Sequence, residues 1–192
     1  MKIKKLFAVV ATLFIVCSST FAFDGNTFWK EYGGGLKNGD SLVHVGVGLN
    51  TGIFGGDFKY VIPPINASYE RMVHINDTLP FSFGGFASVY GWGIEMPDGY
   101  DYTTMSFKYK TISFTNIGAA ATAKYHFNFG IKNLDVYAGF MAGVSIVFAD
   151  TTGAGFLWGT NLGATWFFTD KIAASVDLGY PYLLNAKFTM KF

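Results

Sequence analysis

Three acids, three lysines and three histidines carry most of the chemistry this chain could perform. Glu70, Asp135 and Asp177 can ionise, Lys124, Lys187 and Lys191 can neutralise them, and His44, His74 and His126 can exchange protons or bind metal. Each of the nine lies in a segment where apolar and polar residues alternate, and each falls on the polar phase. Charges brought inside a fold are very costly without partners, so a neutralising network of six is the expected arrangement. The histidines gain no reinforcing carboxylate spacing, and the element bearing His126 is not a neighbour of those bearing His44 and His74. They are expected to be hydrogen-bonded interior residues, with no metal and no cofactor. Asn66-Ala67-Ser68 and Asn76-Asp77-Thr78 match glycosylation sequons by chance.

Strands must position these residues. Their most regular example ends the chain: Leu184, Ala186, Phe188, Met190 and Phe192 alternate with Asn185, Lys187, Thr189 and Lys191. A period of two sets five apolar side chains on one face and polar ones on the other. The same pattern predicts strands over 42–50, 65–75, from 81 onward, 111–127, 134–148, 156–168, 172–180 and 183–192, eight in all. Arg71 falls on the apolar phase and is expected near an interface, with its charged end reaching water. Gly84-Gly85 blurs the phase of the third strand before Phe86, which predicts a β-bulge. Loops are expected at 53–64, 94–110, 149–155 and 181–183, and shorter turns at 76–80, 128–133 and 169–171. A three-residue connection at 181–183 would set Asp177 opposite Lys187, within reach of a salt bridge. The final strand has no later partner, so pairing with the first strand would close a barrel.

Composition narrows the compartment. Met1-Lys2-Ile3-Lys4-Lys5 precedes an apolar run at 6–16 and the small-residue stretch Thr20-Phe21-Ala22, the pattern of a secretory signal peptide cleaved after Ala22. Its removal takes three lysines from 14 basic residues, leaving 11 against 13 acids, a net charge of −2. No basic surface for nucleic acid remains. Cys17, the one cysteine, lies in that leader, which excludes disulfides and thiolate chemistry from the mature chain. Half of the residues are hydrophobic and 19% are aromatic, yet no later apolar run is long enough for a helical membrane span. Transmembrane strands hide lipid-facing residues in just this alternation.

The alternating last strand, with Phe188, Met190 and a terminal aromatic at Phe192, resembles the assembly signal of bacterial outer-membrane β-barrels. With eight strands and long loops opposite short turns, the chain resembles the small barrels of the OmpX, OmpA-barrel and OmpW kind. The resemblance implies an all-β, eight-stranded, antiparallel, up-and-down transmembrane barrel over 41–192, after a leader at 1–22 and a periplasmic lead-in at 23–40. It implies an outer-membrane location, contact with outer-membrane lipids, and handling by the membrane's assembly machinery. An eight-stranded barrel is filled by its own side chains, so an envelope-structural or surface-interaction role is expected, with possible extracellular ligands at 53–64 and 94–110. The alternative is an OmpW-like, porin-like passage for small hydrophobic molecules, which would require an apolar lining. An enzyme is not expected. Tyr125-His126-Phe127-Asn128 resembles the His-x-Ser pair of a lipid A deacylase only superficially, with Asn128 replacing serine and His126 expected at the opposite leaflet.

Overall fold

The computed structural model describes residues 36–50, 59–75, 79–149, 152–179 and 181–192. The expected signal peptide and most of the lead-in lie outside them, as do parts of the first loop and first turn. Eight strands run in chain order: β1 (Ser41–Asn50), β2 (Lys59–Ile75), β3 (Leu79–Asp101), β4 (Ser106–Phe127), β5 (Leu134–Phe148), β6 (Gly153–Phe167), β7 (Ile172–Gly179) and β8 (Tyr182–Lys191). Each pairs antiparallel with the next, and β8 returns to β1, so the sheet closes as an up-and-down barrel. The bare edge of the last strand is removed by that closure.

Alternation places the side chains as the sequence implies, with an inverted polarity. Val45, Val47, Phe83, Ile117, Phe140, Val144, Trp158 and Phe188 are exposed on the outside, while His44, Glu70, Lys124, Asp135 and Lys187 are buried within. Arg71 is exposed on the outer face beside Ser41, its register partner. Near one rim, Phe81 packs edge-on to Tyr125 at 5.2 Å and Tyr125 edge-on to Phe127 at 4.9 Å. At that rim short connections are held by local hydrogen bonds: Asn128 Oδ1 accepts from the Gly130 N–H at 2.8 Å, and Thr169 Oγ1 from the Ile172 N–H at 3.0 Å.

Several boundaries differ from the sequence-based expectation. β2 begins at Lys59, so Pro63-Pro64 belong to a strand rather than a loop; the register to β3 shifts between Tyr60 and Ile62 and again between Ile62 and Ile65. Proline cannot donate to a ladder, and these irregularities are where it is tolerated. No bulge occurs at Gly84-Gly85: pairing is unbroken from Ile65↔Val89 to Ile75↔Leu79 and from Phe81↔Tyr125 past Gly85↔Ala121. The phase seemed to slip because Phe86 points inward, an aromatic on the polar phase.

The expected loop at 94–110 is a β-hairpin. β3 and β4 stay paired to Asp101↔Ser106, with a register shift between Pro97 and Tyr100 and a tip at 102–105. Its residues 95–100 and 102–110 are exposed on both faces, so no alternation marks them. At the tip Asp101 Oδ1 accepts from the Thr103 N–H at 2.9 Å and Met105 takes a positive φ of 51°. β6 likewise starts early, at Gly153, which shortens the loop expected at 149–155. The last hairpin pairs Asp177 with Asn185 and Leu178 with Leu184, two residues from the expected register.

Candidate functional site

The barrel interior is layered. Leu36, Leu42, Met72, Phe167 and Ala173 form an apolar floor at the end carrying Phe192. Phe86, Met141, Leu157 and Tyr182 form a second apolar layer higher up, with Tyr90 and Ala120 against it. Between them lie most of the buried polar residues.

Just above the floor, hydrogen bonds run around the wall through one residue of every strand. Thr165 Oγ1 on β6 meets Ser175 Oγ on β7 at 2.7 Å, and Ser175 Oγ meets Thr189 Oγ1 on β8 at 2.6 Å. Thr189 Oγ1 lies 2.7 Å from His44 Nδ1 on β1, whose Nε2 is 2.7 Å from Glu70 Oε1 on β2. Ser82 on β3 donates to Glu70 Oε2 at 2.8 Å, and its Oγ is 2.8 Å from His126 Nε2 on β4. His126 Nδ1 then reaches Asp135 Oδ1 on β5 at 2.9 Å. Asp135 and Thr165 are direct register partners, so the last member stands beside the first. Among the described residues Asp135 Oδ2 is a buried acceptor with no hydrogen bond.

This belt is level although the strands are tilted. Five of its eight steps pass to a residue two positions beyond the direct register partner, always toward the Phe192 end, so one circuit accumulates a stagger of ten residues. Stagger and strand tilt are linked in any closed barrel. Side chains at one height are therefore diagonal neighbours more often than direct ones.

Above the belt sit the remaining charges. Lys124 Nζ is 2.9 Å from Glu70 Oε2 and 4.4 Å from the centre of the Tyr137 ring. Lys187 Nζ is 2.6 Å from Asp177 Oδ2 and donates to the Tyr137 hydroxyl at 3.0 Å, and that hydroxyl donates to Asp177 Oδ1. Glycines on neighbouring strands make room for these long groups. Gly163 is the register partner of both Tyr137 and Asp177, and a Cβ there would strike the ring and the carboxylate. Higher up, Asn66 and Asn185 bond reciprocally at 2.9 and 3.1 Å across the inner face of β1. A cavity of about 30 Å³ remains beside Asn66, Lys124, Asn185 and Lys187, room for about two water molecules.

Of the six charges read from the sequence, Glu70 joins Lys124, Asp177 joins Lys187, and Asp135 joins His126. Lys191 stands apart at the rim, 3.8 Å from Asp40 and 5.5 Å from the centre of the Phe167 ring. His44 and His126 are linked through Glu70 and Ser82 although their strands are not adjacent. His74 lies nearer the rim, and its backbone N–H donates to Asn38 Oδ1. Asp177 and Lys187 do meet, but diagonally rather than as direct partners. Ser82, Tyr137 and the three hydroxyls at 165, 175 and 189 were not singled out by the sequence; only their polar phase marks them.

Ser82, His126 and Asp135 form a nucleophile–base–acid relay in outline. The hydroxyl nevertheless donates to Glu70, and Ser82 is wholly buried, so no acyl group can reach it. Its hydrogen bonds link β3, β4 and β5.

These features define a closed, all-β, eight-stranded antiparallel barrel. Among solved structures it is similar to Ail, the attachment invasion locus protein of Yersinia pestis, in complex with the heparin analogue sucrose octasulfate; identity is 11%, the match covers 81% of this chain and 100% of that one, and the TM-score is 0.44. No protein-family model matches the sequence, and comparison with curated proteins finds no match.

Proposed function

We propose that the chain is a non-enzymatic outer-membrane barrel, anchored by its wall and acting through the hairpin that rises above it. The inverted polarity carries this reading: Glu70 and Asp135 are 1% exposed inside, while Val144 and Trp158 are 59% and 57% exposed outside. Water would not favour that surface, whereas acyl chains would. Outer-membrane lipids are then its first partner, and the alternating β8 with exposed Phe188, Met190 and Phe192 suits recognition by the assembly machinery. With the Phe192 end toward the periplasm, the hairpin of β3 and β4 points outward from the cell.

Two features support a surface-interaction role for that hairpin. Tyr102, Phe107 and Tyr109 are more than half exposed, and aromatic side chains dominate protein-recognition surfaces. Among the described residues, β2 follows β3 only to Gly93 and β5 follows β4 only to Thr115, which leaves open backbone edges above. Of the loop expected at 53–64, residues 53–58 lie outside the described residues, and 59–64 open β2 on the same side. The floor and the upper apolar layer support a closed interior rather than a conduit. The upper layer alone favours a second reading, passage of small hydrophobic molecules.

Cell fractionation with gel mobility before and after boiling tests the proposal. The protein should sediment with outer membranes and shift on heating. A single band from protein that stays soluble without detergent defeats it. Deleting 97–105 should leave the heat shift intact and abolish surface adhesion; intact adhesion would remove the hairpin from the function.

A further inference from the structure

Alternation decides which face of a strand looks inward, yet it tolerates any even slip. Seven seams of the barrel join strands consecutive in the chain, and their connections limit slippage. The seam between β1 and β8 has no such tether. There Val43, Val45 and Val47 face outward beside Met190, Phe188 and Ala186, so a slip of two residues would leave apolar against apolar. Outer-face chemistry does not choose the register.

The inner face does so against one slip. In the observed register His44 faces Thr189, and Gly46 faces Lys187. A slip of two in one direction would set His44 against Lys187, and in the other against Lys191. The first slip replaces the hydroxyl by an ammonium, which has donors but no acceptor, and displaces Thr189 against the sense of the belt's diagonal steps, so the run from Ser175 through Thr189 to His44 would be cut. The second leaves Thr189 diagonal to His44 in the sense in which Ser175 already reaches it. In the first slip Lys187 would also lose the open floor of Gly46, where its Cγ now lies.

We propose that the polar belt, through its His44–Thr189 joint, guards the one untethered seam against the slip that would set His44 opposite Lys187. Buried polar groups are best attested in this registry role. The inference applies to any closed barrel of this sequence and does not rest on the membrane location or the surface role.

Paired cysteines test it, because the mature chain is free of cysteine once the leader with Cys17 is removed. Val45→Cys with Phe188→Cys reports the observed register; Val45→Cys with Met190→Cys, or with Ala186→Cys, reports a slip of two. Direct cross-strand partners lie within disulfide range, and residues two positions off do not. In the native background only the first pair should cross-link on oxidation of the folded protein. Adding His44→Leu and Thr189→Val should raise the cross-link of Val45→Cys with Ala186→Cys about fivefold, the population change expected from losing one net hydrogen bond. Should that background not fold, Thr189→Val alone carries the test. Tyr137→Phe, equally buried but outside the belt, should leave the native pattern unchanged. Native-only cross-links in a folded belt variant, or equal slippage with Tyr137→Phe, would overturn the proposal.

Discussion

Removing the positive charge of Lys187 probes the interior most directly. Lys187→Met keeps most of the side chain's volume while leaving Asp177 buried without its ion-pair partner. Breaking one side of a buried pair costs about 3–5 kcal/mol. Here Asp177 retains the Tyr137 hydroxyl as a donor, so a loss near the lower bound, about 3 kcal/mol, is expected. Adding Asp177→Leu removes the stranded charge, but Tyr137 then has a buried hydroxyl without its acceptor, worth about 1–3 kcal/mol. The double variant should therefore be more stable than the single one. A triple variant with Tyr137→Phe should come closest to the parent. Urea unfolding in lipid vesicles, followed by fluorescence of the 4 tryptophans, measures the series. Losses that grow steadily from single to double to triple would show that the three groups do not act as a unit and would refute the reasoning.

Other outcomes follow from the wall and the interior. Val144→Arg, on the exposed outer face of β5, should cost about 2–4 kcal/mol in a bilayer, and the same change should matter little if water rather than lipid surrounds the site. Gly163→Ala drives a methyl into the Tyr137 ring and should cost about 1–3 kcal/mol; Gly153→Ala, with open space around it, is the matched control in the same unfolding assay. In planar bilayers the purified barrel should give no large, steady conductance, because the side chains of eight strands fill the interior; stable ohmic steps would overturn that expectation.

The wall was legible in the sequence because burial and exposure alternate with a period that backbone geometry imposes. β5 shows this best: its observed span matches the expected 134–148, with Leu134, Val136, Phe140 and Val144 outward and Asp135, Tyr137 and Met141 inward. The alternation disappears wherever that cause is missing. Above the barrel the hairpin of β3 and β4 has water on both faces, so nothing selects alternation, and its ladder is held by backbone bonds that leave no mark in side-chain pattern. Phe86 failed oppositely, as an apolar residue serving the interior.

The interior was legible as a set of groups but not as a set of contacts, and the reason is the stagger. Parity shows that Asp177 and Lys187 share a face, and this holds for any even register. Which residue lies opposite depends on the connection, and the expected register missed by two. Yet the ion pair forms, because strand tilt brings diagonal residues to the same height and Lys187 is long enough to reach. Short groups reach only where their own seam sets them side by side: Ser175 meets Thr189 diagonally and His44 meets Thr189 directly, each fixed by one register. A long lysine pair can be anticipated from parity and reach; the belt of short side chains needs the actual register of every seam it crosses. That difference is why register selection is assigned to the belt rather than to the ion pairs above it.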